Sequence, residues 1–299
     1  MIRKGLKFLA VLAVILLASA VLAPLLFKIL PFKFEKIFNR LVMIQTLAAV
    51  LVFVRFRRGM FGDYGLRWTD ASLSGFLAAF ETSVVVLTAY VGCLIGSGYA
   101  ALRLHDLSAL QWILKIANAL LAAVVVGVLE EFFFRGFIYQ SLRKSFAGKS
   151  GTGLSLRPVI WAAVGCTSLF YSLLHFTSSE KPLIGPEPTV FDSFRLMAAP
   201  FASYTHWENL WPAVAGLFIF GVVLNALVLR TGSLYPAIGL HAGCVFFIKL
   251  DGAFADFFNK STLLFGSSKL YDGVAGWGVL ILVGVLIGNS VSRYKKEIL

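Results

Sequence analysis

The chain has 299 residues, of which 59% are hydrophobic and only 14% charged, and its mean hydropathy is +0.84. Those values exclude an ordinary soluble domain and point to a polytopic α-helical membrane protein in one bundle. The net charge of +12 would suit a nucleic-acid partner, but the basic residues fall in short clusters between apolar runs, so no nucleic acid is expected.

Apolar windows predict an all-α membrane bundle of about eight transmembrane helices around a buried polar cavity. The spans are roughly 7–27, 40–56, 73–100, 111–140, 157–177, 209–229, 233–250 and 273–291. The first follows Arg3, Lys4 and Lys7. Although Ala18-Ser19-Ala20 resembles a signal cleavage site, the apolar run continues to Phe27, so an uncleaved first helix is expected. With the N-terminus inside, 15 basic loop residues fall on the cytoplasmic side and 10 outside. The positive-inside rule then places both termini in the cytoplasm, in what is expected to be the plasma (inner) membrane. Gly148 to Thr152 reads as a cytoplasmic turn, and Thr177 to Glu208, rich in proline, as an external loop or cap. Cys93, Cys166 and Cys244 lie inside apolar segments without metal-ligand spacing and read as small buried hydrophobes.

The fourth span ends in Glu130-Glu131-Phe132-Phe133-Phe134-Arg135-Gly136. Ionisable side chains at membrane depth are costly and mark function. On a helix Glu131 and Arg135 share a face and can pair, whereas Glu130 points about 100° away. A carboxylate in poor solvent without its own cation suits a general base. A buried Glu–Arg pair that only locks helices is the plainer reading.

Of the four histidines, His105 and His206 fall in loops, while His175 closes the fifth span and His241 lies inside the seventh. Glu130, His175 and His241 thus come from three separate helices. Two chemistries suit them. Two imidazoles and a carboxylate can hold a catalytic zinc with an open water position. Alternatively, no cofactor is needed, and Glu130 activates a water that the histidines position. Either is hydrolysis within a membrane. No G-x-S-x-G or His-Glu-x-x-His motif offers another nucleophile or metal pair. Upright helices would place His175, Glu130 and His241 at depths of about 27, 20 and 16 Å from the cytoplasmic side, a mismatch that tilt or broken helix must close. Asn225 reads as an interhelical hydrogen bond and Glu81 as a residue reaching the interface. Thr231-Gly232-Ser233 forms a tight turn, with Ser233 capping a helix that Pro236 helps to start.

In order, Glu130-Glu131-x-x-x-Arg135, Tyr171-x-x-x-His175 and Thr231-Gly232-Ser233-Leu234-x-Pro236-x-Ile238-x-x-His241-Ala242 resemble the CAAX protease and bacteriocin-processing (CPBP, or Abi) family, which includes the type II CAAX prenyl endopeptidases. The resemblance covers about residues 111–250. It divides the chain into N-terminal helices (1–110), a core (111–250) and a last loop, helix and basic tail (251–299). It implies a membrane protease, called an intramembrane metalloprotease in some members, acting on membrane-associated protein or peptide substrates. Glu130, His175 and His241 would be catalytic, with Glu131, Arg135 and Tyr171 in support and any metal on Glu130, His175 and His241. Two departures stand out: Tyr171 replaces the usual Phe, and Val245 replaces the Asn often found four residues after the second histidine. Val245 motivates a different reading, a catalytically silent membrane scaffold or immunity-type protein. A transporter or proton relay on the same buried groups ranks behind both.

Overall fold

The computed structural model of the chain describes residues 2–56, 64–147, 156–175, 183–202, 204, 207–257, 263–267 and 269–297. The Gly148–Thr152 turn and His206 lie outside them. The described residues are 79% helical, in keeping with the composition. The helices are α1 (Ile2–Phe27), α2 (Phe34–Phe56), α3 (Asp70–Gly96), α4 (Ala109–Glu131), α5 (Gln140–Ala147), α6 (Leu156–Leu174), α7 (Val190–Ala202), α8 (Trp207–Thr231), α9 (Tyr235–Asp251) and α10 (Val274–Glu297). A π-helical segment, Phe132–Tyr139, joins α4 to α5 without a break. A short strand β1 (Ala100–Leu102) pairs antiparallel with β2 (Ala255–Phe257).

Six helical stretches among the described residues are long and apolar enough to cross a membrane: 10–27, 71–96, 109–146, 157–174, 207–231 and 274–291. The expected count of eight is not confirmed, since α2 and the 17-residue α9 are not among these stretches. The chain is an integral, multi-pass membrane protein.

Two compact units divide the chain. The first comprises residues 1–60 and 173–210. In it α1 packs on α2 and α7, with Ala20, Ala23, Phe34, Ile37 and Phe38 as its core. Helix α7 falls inside the stretch expected to be an external loop. Its start is fixed by Asp192, whose Oδ2 accepts from the Thr189 N–H and hydroxyl at 2.9 Å each, a Thr-x-x-Asp signal that marks a helix N-terminus.

The second unit, residues 61–172 and 211–299, is built around α9, which packs against α3 and α4. Burial here follows membrane logic. Helix α4 exposes Leu110, Ile113, Leu114 and Leu121 while the joined helix buries Glu131 and Arg135. Lipid accepts leucine, so the polar groups are the ones that must face inward. Buried hydroxyls satisfy themselves on backbone carbonyls one turn back, as Ser83 does on Ala79 at 2.6 Å and Thr167 on Ala163 at 2.8 Å. Cys93 and Cys166, expected to be buried, are exposed, since a thiol is apolar enough for lipid; Cys244 is buried.

Two glycines four residues apart let α3 and α9 touch. A Cβ at Gly239 would stand 2.2 Å from the Phe76 carbonyl oxygen, and one at Gly243 would stand 2.7 Å from that of Phe80. Small residues at this spacing are the usual device for close helix packing in lipid. The turn before α9 uses Gly232 at φ 69°. Thr231 Oγ1 donates to the Leu227 carbonyl at 2.7 Å, and the Leu234 N–H bonds to the Gly65 carbonyl at 2.8 Å. Ser233 is not the N-cap, a place Leu234 takes, although its hydroxyl accepts from the Tyr235 N–H at 3.3 Å.

Asp251, just past the 233–250 apolar stretch, is 7% exposed and its Oδ2 has no partner among the described residues. Burial pushes its carboxyl up to about 6, against the opposing pull of the Gly252 N–H and the Lys115 charge.

Two measurements on detergent-purified protein check this packing. Gly239→Val is expected to cost about 1–3 kcal/mol or more by overpacking, because a backbone carbonyl cannot yield, whereas Gly92→Ala, which meets nothing within 4 Å, should leave the thermal midpoint unchanged. For Asp251, only the unfolded chain ionises the group between the ordinary value of 3.8 and about 6. Stability present at lower pH is therefore lost as pH rises through that window. Asp251→Asn is expected to flatten that part of the stability–pH curve, and an unchanged slope would contradict the assignment.

Candidate active site

Helix α4 starts at a capping box, with the Gln111 N–H bonded to Ser108 Oγ at 3.3 Å and the Ser108 N–H to Gln111 Oε1 at 2.9 Å. From there it runs unbroken to Glu131 and passes into the π-helical segment. A π turn inserted in an α-helix is uncommon and frequent at functional sites. It also shortens the path from Arg143 back to Glu130, because the wider turn rises less per residue, and so closes part of the depth mismatch with His241. No sequence signal marked it.

Glu131 and Arg135 are both fully buried and pair at 2.8 Å through Glu131 Oε1 and Arg135 Nη1, as their spacing predicted. The same Oε1 lies 2.8 Å from His241 Nδ1. Because an ionised carboxylate can only accept, Nδ1 is the donor in this contact, and in the neutral imidazole Nε2 then carries the lone pair. Nε2 faces Glu130 Oε2 at 3.9 Å, beyond direct hydrogen-bond reach. Glu130 is the more exposed of the two, with 30% of its side chain exposed against none for Glu131, although the Oε2 that faces His241 is itself buried. The pair that looked interchangeable in sequence is thus split into an inner anchor and an outer group.

Tyr171 on α6 is buried, and the Arg135 guanidinium lies 4.5 Å from its ring centre. Rings of Tyr171 and Phe220 stand edge-on to the His241 imidazole at 6.3 and 5.5 Å. Phe220 was not singled out from the sequence, where it is one aromatic among 28 phenylalanines. Arg135 Nη2 also reaches the Gly221 carbonyl at 3.5 Å.

The structure therefore brings together Glu130, Glu131, Arg135, Tyr171 and His241. His175 stands in the turn that closes α6, exposed, and belongs to the first unit. Val245, one turn beyond His241, is half-buried, and His105 and Glu81 are exposed. Among the described residues no three His, Cys, Asp or Glu side chains are grouped so as to hold a metal ion.

The buried pair yields a stability prediction. Glu131→Gln leaves Arg135 charged and unpaired and is expected to cost about 3–5 kcal/mol, while Glu130→Gln, at a partly exposed position, should cost less than about 1 kcal/mol. Unfolding of the two variants in detergent distinguishes anchor from outer group, and equal costs would contradict the division.

No curated protein and no solved structure matches the chain. Residues 112–247 match the family model described as type II CAAX prenyl endopeptidase Rce1-like, a segment that holds both glutamates, Arg135, Tyr171 and both histidines of the sequence pattern. Over this stretch the chain is similar to the Rce1-like CAAX prenyl endopeptidases.

Proposed function

We propose that the protein is an intramembrane endopeptidase in which Glu130 activates a water held against His241 Nε2. The observation that carries this reading is the pairing of a locked imidazole with a partly exposed carboxylate: Nδ1 is tied to Glu131 and Nε2 stands 3.9 Å from Glu130 Oε2. A polar separation of that size is one a water bridges. Such a water donates one hydrogen to Glu130 and the other to His241 Nε2, which leaves its lone pairs free for a peptide carbonyl carbon. Glu130 takes the proton as the C–O bond forms, and passes it to the departing amine nitrogen as the C–N bond breaks. His241 stays in one tautomer throughout because Glu131 does not release Nδ1. Arg135 balances the Glu131 charge, and Glu130 is the carboxylate that accepts the proton.

His175 is the second imidazole of this scheme, suited to the developing oxyanion, and its support is its place in the sequence pattern. The described donor groups do not assemble a metal site, so no step is routed through zinc. The substrate is a protein or peptide at the bilayer, and the 15-to-10 distribution of basic loop residues supports termini in the cytoplasm of an inner-membrane protein. A silent scaffold or immunity-type role is the second reading, supported by Val245 alone.

Purified protein with a mixed peptide library tests this. Glu130→Ala and His241→Ala are each expected to abolish cleavage while the protein inserts and keeps its helical signal, and a chelator is expected to leave wild-type cleavage intact. Cleavage surviving in either variant would refute the assignment, and loss on chelation would restore the zinc chemistry. A phenotype that persists in Glu130→Gln would favour the scaffold.

A further inference from the structure

Asn225 on α8 is fully buried in a membrane-spanning helix, where an amide is expensive unless all of it is used. Its Nδ2 is used twice, donating to Ser168 Oγ on α6 at 3.2 Å and to the Gly221 carbonyl at 2.9 Å. The Ser168 bond is the interhelical contact the sequence suggested. It explains only the donor half of the side chain, since a serine at 225 could make the same bond. The Oδ1 atom is buried and has no hydrogen-bond partner among the described residues. The Arg135 guanidinium shares the Gly221 carbonyl with Asn225, at 3.5 Å from Nη2, and its Nε is likewise buried without a partner. An orphaned acceptor and an orphaned donor therefore sit on two side chains that meet at one carbonyl. Helices α6 and α8 approach closely here, where a Cβ on Gly221 would stand 2.9 Å from that of Ser168.

We propose that Asn225 is a positioning residue for Arg135, its amide oxygen serving the guanidinium Nε–H directly or through one water and so holding the arginine against Glu131. The chain of support then runs from Asn225 to Arg135, to Glu131 Oε1, to His241 Nδ1. Asn225 touches neither Glu130 nor the reacting atoms. Only the activity arm of the test below rests on the protease reading.

The direct test is hydrogen exchange at the Arg135 Nε–H, followed by NMR of the full chain labelled with ¹⁵N-arginine in nanodiscs and assigned with Arg135→Lys. Asn225→Ala is expected to speed that exchange roughly tenfold, the scale of one buried hydrogen bond, while Ser168→Ala leaves it at the wild-type rate. Should Asn225→Ala not fold, Asn225→Asp carries the test, because it keeps an acceptor oxygen and removes the amide donors. Retained protection in Asn225→Asp supports the proposal. Unchanged exchange in Asn225→Ala, an equal acceleration in Ser168→Ala, or lost protection in Asn225→Asp overturns it. Where the wild type cleaves the peptide library, Asn225→Ala is expected to lower kcat about tenfold at unchanged KM, with Asn225→Asp recovering it. A wild type that cleaves nothing bears on the protease reading and leaves the exchange result standing.

Discussion

One carboxylate oxygen organises the second unit. Glu131 Oε1 takes a hydrogen bond from Arg135 and another from His241, each at 2.8 Å, and neither Glu131 nor Arg135 has any exposed surface. A charge so placed is tolerated only while both its partners stay, because the desolvation cost is repaid by the pairing alone. The arrangement ties the end of α4 to the middle of α9 and fixes the imidazole tautomer. Everything around it, from the π-helical segment to the ring of Tyr171 over the guanidinium, serves to keep that oxygen dry.

The membrane explains why so little else in the interior is charged. With lipid outside, apolar side chains have no reason to hide, and α4 leaves several leucines on its outer face. Helices then hold together by close approach and by hydrogen bonds. Gly239 and Gly243 bring α9 onto α3, and Ser168 with Asn225 joins α6 to α8. These contacts set the position of His241 to within a backbone's thickness, which is what an imidazole needs if it is to share one oxygen with an arginine.

Much of this was legible in the chain. The class of fold followed from composition, and the Glu131–Arg135 pair followed from a spacing of four. The ordering of the glutamates and histidines carried the resemblance to the family, because each sits in a motif with a physical role. Other features left no mark. A π turn depends on a balance of backbone strain against tertiary packing that residue types do not encode. The contact of Glu131 with His241 joins residues 110 positions apart, so it could be guessed only as a member of a cluster. Which of the two glutamates meets His241 Nδ1 left no mark in the sequence, since periodicity separates the faces of neighbouring residues but does not say which face is inside. Helix α7 lies within a proline-rich stretch, where the Thr189-x-x-Asp192 cap is the only local signal of its start. The count of eight spans is not confirmed at α2 and α9, and α9, at 17 residues, is shorter than an upright span needs. Its stretch from Pro236 to Cys244 is buried.

The central claim is that Glu131 and Arg135 act as one unit with His241 attached. A double-mutant cycle on unfolding tests it most directly, with Glu131→Gln, Arg135→Met and the pair together measured in the same detergent. The account predicts strong coupling: each single change strands a buried charge, while the double change removes both charges and costs far less than the sum of the two. Costs that simply add would contradict it, because they would mean that the two side chains are solvated separately and that the shared oxygen holds nothing.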